Sequence, residues 1–463
     1  MDSLPKSFNP NKRLKEEFVS NLSGSSMLEI AALTITIPVL VLFRHLISFN
    51  SISSASRKKN DDAVAECMTL KAYLGSMSLD FLVIVVPMLL FFTVLADWNF
   101  ICAILFTILT LFYIQAKRPA DASLSFGDLN SLRAYITSYR VIVMIITCLC
   151  ILAVDFKIFP RRYAKTETYG TSLMDLGVGA FVLANSLVSQ QARNISSVNW
   201  KTAMRSISPL IILGFVRLVT TAGVDYQLHV SEYGVHWNFF FTLAAVSILT
   251  SLVNIPPQYC GILGSIVLVG YQFCLVHGLN HYLLSNERGM DIISQNKEGI
   301  FSIFGYWGMY LVGVYLGNHL FYGGHSSTIR SNRWVRMRVS ILSLLFWLLT
   351  VLLDRHVEKV SRRTCNLPYV TMVLADNLQL LSVVMLADHI PGSKKTSILE
   401  EALNRNLLAT FLLANVLTGL VNLSFDTLSS ASIMALFILI VYAYTVSTVI
   451  AVADFYGVKL KFW

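Results

Sequence analysis

Residues 138–165 read SYRVIVMIITCLCILAVDFKIFPRRYAK, an apolar run that ends in a charged turn. The apolar part, residues 138–154, approaches the length of about 20 residues that a helix needs to cross the hydrocarbon core of a bilayer. Pro160 prevents the helix from continuing, because proline has no backbone N–H to donate within a helix. The stretch therefore predicts a membrane-spanning helix that stops near Asp155, at a turn dense with charges.

The composition of the whole chain is that of a membrane protein. Of its 463 residues, 55% are hydrophobic and 14% are charged, whereas about 25% of the residues of a soluble domain are charged. The net charge of +9 would suit a nucleic-acid-binding protein. The Lys and Arg residues, however, lie in short loops between apolar segments, where membrane topology places them. We therefore expect an integral membrane protein that binds no nucleic acid.

Apolar segments of roughly spanning length occur thirteen times along the chain. They are much longer than the strands of a membrane barrel, which have about 10 residues. The pattern predicts an all-α, polytopic protein with one multispanning membrane domain over residues 1–463, including a polar N-terminal tail at 1–28. The predicted spans are residues 29–48, 78–97, 99–116, 138–154, 171–190, 206–222, 236–254, 259–277, 301–319, 337–353, 367–388, 406–423 and 430–453.

The loop charges predict the orientation of the chain. An odd number of spans places the two termini on opposite sides, and the excess of Lys and Arg favours a cytosolic C-terminus and a lumenal N-terminus. Asn21 lies in a glycosylation sequon on the tail assigned to the lumen. The closing Lys459 and Lys461 resemble signals that retain membrane proteins in the endoplasmic reticulum, although ordinary flanking charge explains them equally well. We expect a monomer in the endoplasmic reticulum membrane.

The first group of polar residues is the charged turn itself. Asp155 ends the fourth predicted span, and an acid at that depth needs a partner. Lys165, ten residues further on, is the predicted partner. Arg161 and Arg162 are candidates to bind an anionic group of a substrate. The alternative is that these basic residues only anchor the helix end to lipid headgroups.

The second group combines Arg217, inside the sixth span, with His236, Trp237 and Asn238 at the start of the seventh. A cation inside a membrane segment is costly unless it meets a carboxylate or a phosphate. We expect all four residues to contact the substrate. A structural ion pair at Arg217 and an interfacial aromatic belt are the alternatives.

Two further patterns concern helix packing. Gly177 and Gly179, early in the fifth span, predict a close approach of another helix. Asn415, Thr418 and Asn422 share one face of the twelfth span, and such a face more often packs against another helix than lines a site. The seven cysteines lack the spacing of a metal site, so we expect no metal. No motif of a soluble enzyme is present.

Long blocks of the sequence resemble the eukaryotic GPI inositol acyltransferases, the PIG-W family. The resemblance covers nearly the whole chain and is strongest in LAVDFKIFPRRYAKTETYGTSLMDLGVGAFV at 152–182. The other blocks, in the order expected for the family, are KEEFVSNLSGSSMLEI (15–30), SEYGVHWNFFFT (231–242), SQNKEGIFSIFGY (294–306), SRRTCNLPYV (361–370) and ALNRNLLATFLLANVLTGLVNLSFDT (402–427).

This resemblance implies a reaction. Family members are endoplasmic reticulum enzymes with thirteen helices that move a fatty acyl chain, usually palmitoyl, from acyl-CoA to the inositol 2-hydroxyl of glucosaminyl-phosphatidylinositol. Acyl-CoA is then a co-substrate, with no permanently bound cofactor. The resemblance assigns the catalytic pair to Asp155 and Lys165. Asp155 would act as the general base, and Lys165 would keep Asp155 ionised or bind the oxyanion.

Two other classes remain open on the residues alone. A secondary transporter also has many spans and intramembrane charges, although this chain shows no inverted repeat. A non-catalytic subunit of an endoplasmic reticulum membrane complex is the second alternative. Flux of a substrate without covalent change would indicate the transporter, and tolerance of a neutral residue at position 155 would indicate the subunit.

Overall fold

Each of the thirteen predicted spans coincides with a helix. A computed structural model describes residue 14 and residues 17–56, 69–116, 129–195, 200–222, 230–322, 332–389 and 396–458. These ranges contain no β-strand, and two isolated bridges join Gly24 and Ser25 to Thr171. The hydrophobic helices, numbered α1 to α13, are Met27–Ser56, Leu70–Phe92, Asn99–Ala116, Leu129–Ala153, Leu176–Leu187, Trp200–Ala222, Phe239–Val253, Pro257–Leu284, Lys297–Tyr322, Asn332–His356, Leu367–His389, Leu407–Ser424 and Ser432–Phe455.

The helices confirm an all-α polytopic membrane protein. In the described part of the chain, 11 helices are long and apolar enough to cross a membrane. The other two, α5 and α7, are apolar but have only 12 and 15 residues. A helix of 12 residues rises about 18 Å, which is less than the bilayer core of about 30 Å. The number of thirteen crossings therefore stays a prediction.

Helices α4, α9 and α11 form the interior of the bundle. Helix α11 packs against α1, α4, α5 and α10, and most of its side chains are buried. By contrast, α6, α10 and α12 leave most of their surface exposed. The exposed side chains are apolar, such as Leu344 and Leu348 on α10. An exposed apolar surface of this kind is the surface that a bilayer covers.

Small residues allow two close helix contacts near the candidate site. A Cβ atom on Gly179 would lie 2.8 Å from Val373 of α11, so the predicted close approach is confirmed there. Gly177 has no atom within 4 Å of such a position, and the same prediction is wrong for it. On α9, a Cβ atom on Gly305 would lie 2.1 Å from the carbonyl oxygen of Cys365. This contact brings α9 against the loop that precedes α11.

The loops after α4, α6, α8 and α10 meet at one end of the bundle, here called the polar end. The N-terminal segment joins them, because the Ser25 N–H donates to the Thr171 carbonyl oxygen (2.7 Å). The Gly170 N–H donates to the Val360 carbonyl oxygen (2.9 Å). The polar end therefore collects the charged loops that the sequence places between 155 and 175, 230 and 238, 288 and 299, and 358 and 366.

Candidate active site

The charged turn after α4 folds around the guanidinium of Arg161. Its Nη2 atom donates to three carbonyl oxygens, those of Val154, Phe156 and Phe159 (2.9, 3.1 and 2.9 Å). The last carbonyls of a helix have no partner within the helix, so Arg161 supplies one for the end of α4. Burial lowers the pKa of Arg161 to about 10, and the nearby charge of Asp155 opposes this effect. The predicted contact of Arg161 with substrate stays a prediction.

Asp155 is held from the other side by α12. The Asn422 Nδ2 atom donates to the Asp155 Oδ2 atom at 2.7 Å. Asn422 lies on the polar face predicted for this span. On that face the Thr418 hydroxyl donates to the Tyr442 hydroxyl of α13 (3.4 Å), so the face packs against another helix, as expected, and Asn422 also contacts the candidate catalytic acid. Together, the Asn422 amide and the Arg161 charge provide partners for Asp155 at the membrane edge.

The ion pair that Lys165 forms in the described structure is with Glu232, and the predicted pair with Asp155 stays a prediction. The Lys165 Nζ atom lies 2.8 and 3.0 Å from the two carboxylate oxygens of Glu232. A 3₁₀ turn at Arg161–Tyr163 redirects the chain after Pro160. After this turn, the Lys165 side chain meets the loop before α7. The two predicted catalytic residues thus lie in the same interhelix segment, where Asp155 contacts Asn422 and Lys165 contacts Glu232.

Lys165 belongs to a charged cluster that consists of Lys165, Glu232, Arg362 and Asp175. The Arg362 guanidinium bridges the two carboxylates, with Nη1 at 3.0 Å from Glu232 and Nε at 2.8 Å from Asp175. Asp175 also accepts hydrogen bonds from the backbone N–H and the hydroxyl of Thr166. Arg362 and Asp175 are buried. The cluster thus joins the loops that precede α5, α7 and α11.

The cluster stabilises the charge on Glu232. Burial of this carboxylate favours its protonated form, but the positive charges of Lys165 and Arg362 outweigh burial and lower its pKa to about 2. Arg217 of α6 also contributes to this effect. Arg217 therefore lies near a carboxylate, in agreement with the structural ion-pair alternative. Its predicted contact with substrate stays a prediction.

A second set of ion pairs lies beside the cluster. Glu298 at the start of α9 accepts from Arg288 at 2.6 Å and from Arg363 at 3.1 Å. Arg363 follows Arg362 directly, so the two sets meet at the loop before α11. The neighbouring Lys297 is buried and donates to the carbonyl oxygens of Tyr282 and two further residues at the end of α8. These contacts fix the loops of the polar end relative to one another.

Of the remaining predicted substrate residues, two form hydrogen bonds within the protein and one is exposed. Asn238 caps α7, since its Oδ1 accepts from two backbone N–H groups and its Nδ2 donates to the Gly214 carbonyl oxygen (3.0 Å). The Trp237 indole donates to the Thr242 hydroxyl (3.0 Å). The His236 side chain is exposed. The geometry thus gives Asn238 and Trp237 structural contacts and leaves only His236 open to solvent.

Arg162 is paired within the protein. It contacts Glu29 of α1 at 2.8 Å and Asp97 at 2.6 Å. These two acids explain the high pKa of Arg162 despite the opposing effect of partial burial. Glu29 also accepts from the Tyr163 hydroxyl (2.7 Å). Arg162 therefore joins the candidate turn to α1, and its contact with substrate stays a prediction.

The sequence did not identify Glu232, Arg362 and Asn422 as site residues. Each was visible as a polar residue at the end of a span, but the distances along the chain gave no reason to join them. Glu232 is 67 residues from Lys165, and Asn422 is 267 residues from Asp155. Their position within the quoted sequence blocks was the one available signal.

A crevice of about 460 Å³ opens at the polar end. It lies between the N-terminus of α1, the loop at 169–171 and the end of α10. Neither Asp155 nor Lys165 lines it. The crevice and the candidate catalytic residues are therefore separate features of the same end of the bundle.

The chain is similar to known proteins over nearly its whole length. The model of the GWT1 family matches residues 11–453. An uncharacterized protein of Arabidopsis thaliana is 57% identical, over 92% of this chain and 98% of its own length. The phosphatidylinositol-glycan biosynthesis class W protein of Dictyostelium discoideum is 34% identical, over 97% and 98%. The glucosaminyl-phosphatidylinositol-acyltransferase PIGW of Mus musculus is 33% identical, over 98% and 99%.

Proposed function

The chain belongs to the GWT1 family, and on this basis we propose that it transfers an acyl chain to the inositol of glucosaminyl-phosphatidylinositol during GPI anchor biosynthesis. The names of the mouse and Dictyostelium relatives support the lipid substrate and the pathway. The proposal includes a palmitoyl-CoA donor, the inositol 2-hydroxyl as acceptor, and a monomeric enzyme in the endoplasmic reticulum membrane with a lumenal N-terminus.

The observation that carries the proposal is the carboxylate of Asp155 held by Asn422 at the membrane edge. In the proposed reaction, Asp155 accepts the proton of the inositol hydroxyl while the hydroxyl oxygen bonds to the thioester carbon. The tetrahedral intermediate then loses CoA as the C–S bond breaks, and the leaving thiolate takes the proton from Asp155. A positioned general base of this kind contributes about 10²- to 10⁴-fold to the rate.

The contacts of Lys165 favour one of its two possible roles. An ammonium group has three N–H donors, and the observed contacts of Lys165 are with the two oxygens of Glu232. Its side chain is 40% exposed, so a substrate oxygen can approach it. In the proposal, Lys165 does not serve to keep Asp155 ionised. It donates a hydrogen bond to the oxyanion or to a substrate phosphate, and Arg161 provides the positive charge near Asp155. His236 is the proposed contact to the sugar, because its side chain is exposed.

The test is acyl transfer in purified full-length protein with palmitoyl-CoA and glucosaminyl-phosphatidylinositol. We expect Asp155→Asn to lower kcat at least 100-fold and Lys165→Ala to lower it at a matched folded amount. Lys359→Ala is the control, because this side chain is 66% exposed at the same end. The control should not change kcat more than about twofold.

Three outcomes would contradict parts of the proposal. An unchanged rate for Asp155→Asn would remove Asp155 as the base and direct attention to His236. Transfer to another hydroxyl, shown by mass spectrometry of the product, would refute the acceptor. Wild-type protein that moves the lipid across vesicles without acylating it would establish the transporter instead.

A further inference from the structure

Three exposed apolar residues lie on the loop between α8 and α9, at the polar end. In this loop, residues 285–296, Met290, Ile292 and Ile293 are 99%, 74% and 55% exposed. Met290 has the largest exposed fraction of the large hydrophobic residues in the described part of the chain. Exposed apolar side chains that cluster in this way mark a surface that binds a protein or a membrane. We call these three residues the apolar tip.

Hydrogen bonds within the loop hold the apolar tip in place. The Asp291 carboxylate accepts from the Ser294 N–H (2.8 Å) and so caps a single helical turn at Ile292–Gln295. The Gly289 N–H donates to the Ser294 hydroxyl (2.7 Å), and the Arg288 guanidinium donates to the Gln295 carbonyl oxygen (2.9 Å). The polar groups of the loop are thus bonded to one another, while its apolar side chains stay on the surface.

The length of α8 places this loop at the membrane surface. Helix α8 has a kink at His277 and Gly278, where Gly278 has a φ of 119°. The part before the kink, Pro257–Cys274, has 18 residues and rises about 27 Å, close to the bilayer core of about 30 Å. The kink therefore lies near the boundary of the hydrocarbon. The exposed apolar residues of α8 that share one helical face end there, and they are Ile262, Ile266, Val269, Phe273 and Val276.

Contacts with α9 keep the loop near that boundary. Lys297, the first residue of α9, donates from Nζ to the carbonyl oxygens of Ser285 and Glu287 (2.8 and 3.0 Å). Its Nζ atom also lies 4.9 Å from the ring centre of Tyr282, which is 38% exposed. Tyrosine is common at the level of the lipid headgroups. The loop is thus folded against the first turn of a span and does not extend away from the membrane.

We propose that the apolar tip inserts into the interfacial region of the bilayer and anchors the polar end to the lipid surface. Two observations favour lipid over a protein partner. The tip follows the lipid-facing side of α8 at the level where the hydrocarbon ends. The tip also consists of aliphatic side chains alone, whereas the energetically important residues of protein interfaces are enriched in Trp, Tyr and Arg. The inference does not depend on the proposed reaction.

The anchor would connect the bilayer to the charged cluster. Arg288, directly before the tip, contacts Glu298 of α9, and Glu298 also contacts Arg363. Arg363 follows Arg362, which belongs to the cluster. Insertion of the apolar tip therefore fixes the height of the cluster relative to the lipid headgroups.

The experiment measures the depth of position 290 in full-length protein reconstituted in phosphatidylcholine nanodiscs. Met290→Cys is labelled with the fluorophore NBD, and labelled wild type gives the background from the seven native cysteines. Quenching by spin-labelled phosphatidylcholine reports contact with lipid, and quenching by iodide reports contact with water. We expect lipid quenching at position 290 that corresponds to a depth of about 5–10 Å, with protection from iodide. Lys359→Cys is the control, because Lys359 is a 66% exposed residue at the same end, and its label should respond to iodide alone.

A second variant tests the contribution of the tip itself. Replacing both Ile292 and Ile293 by serine in the Met290→Cys protein should shift the quenching at position 290 from lipid toward iodide. Iodide quenching at position 290 equal to that at position 359, without lipid quenching, would overturn the inference. Protection from both quenchers would overturn it too, because protein would then cover the tip. The measurement involves no acyl transfer, so its failure leaves the proposed function intact, and an inactive wild type leaves this inference intact.

Discussion

Replacement of Glu232 by Gln tests whether the charged cluster holds the polar end together. Glutamine keeps the shape of the side chain and removes the charge that meets Lys165 and Arg362. Arg362 would retain only Asp175 as an anionic partner among its described contacts. The substitution therefore leaves a buried guanidinium partly uncompensated, which is the costly case for a buried ion pair.

The magnitude follows from the pKa of Glu232. The cluster lowers this pKa from 4.5 to about 2, which corresponds to about 3 kcal/mol in favour of the carboxylate. Removal of one partner of a buried ion pair costs about 3–5 kcal/mol, in agreement with this value. Lys165 is 40% exposed, so solvent weakens its share. A loss of about 3 kcal/mol should lower Tm by about 3 °C in a chain of this length.

The pH dependence of unfolding gives a second measure of the stabilisation by the Glu232 carboxylate. Because the folded-state pKa of Glu232 lies below its unfolded value, this stabilisation is complete above pH 4.5 and is lost as the pH falls toward 2. Wild type should therefore lose more stability than Glu232→Gln over that window. The difference in stability between wild type and Glu232→Gln should be largest near neutral pH.

The assay is thermal unfolding of purified protein in detergent, followed by tryptophan fluorescence at pH 7 and between pH 5 and 3. Glu401→Gln is the matched control, because Glu401 also contacts an arginine but is 51% exposed. We expect the control to change Tm by less than 1 °C. A Tm for Glu232→Gln equal to that of the control, or parallel acid unfolding of wild type and variant, would refute the reasoning.

Two further predictions concern single contacts. Asn422→Ala should lower kcat about tenfold with little change in KM, because it removes a hydrogen bond to the Asp155 carboxylate. Initial rates measure this effect, and Asn415→Ala is the control, because the Asn415 amide bonds within its own helix. Equal rates for the two variants would contradict the prediction. Gly305→Ala should cost about 1–3 kcal/mol, since its Cβ would lie 2.1 Å from a backbone carbonyl oxygen, whereas Gly177→Ala meets no atom within 4 Å. Thermal unfolding should separate these two variants, and indistinguishable Tm values would contradict the packing argument.

Hydropathy predicted the positions of the helices because the bilayer imposes one length and one composition on each span. The start of α4 was less accurate, since the predicted span began at residue 138 and the helix begins at Leu129. The polar residues Ser131 and Arg133 extend that helix beyond the apolar run. Hydropathy reports where a segment is apolar, and helical hydrogen bonds continue past that boundary.

The candidate site was predictable in composition and only partly in its pairing. The sequence identified Asp155 and Lys165 as charges at the end of a span, and both lie in the segment between α4 and α5. The sequence could not show that Lys165 meets Glu232, because a turn of three residues decides the direction of the Lys165 side chain. It also could not distinguish Asn238, which caps a helix, from His236, which is exposed.

The sequence by itself determined that this protein is a bundle of apolar helices with most of its charges in the loops. In lipid, every backbone N–H and C=O must be satisfied within the segment, and a helix does this for segments of this length. The tertiary structure decided which loops meet. Packing of α4 beside α12 brings Asn422 to Asp155, and the meeting of three loops places Arg362 between Glu232 and Asp175. Such contacts depend on how helices pack around α11, and the energies of that packing are spread over many side chains that no local pattern records.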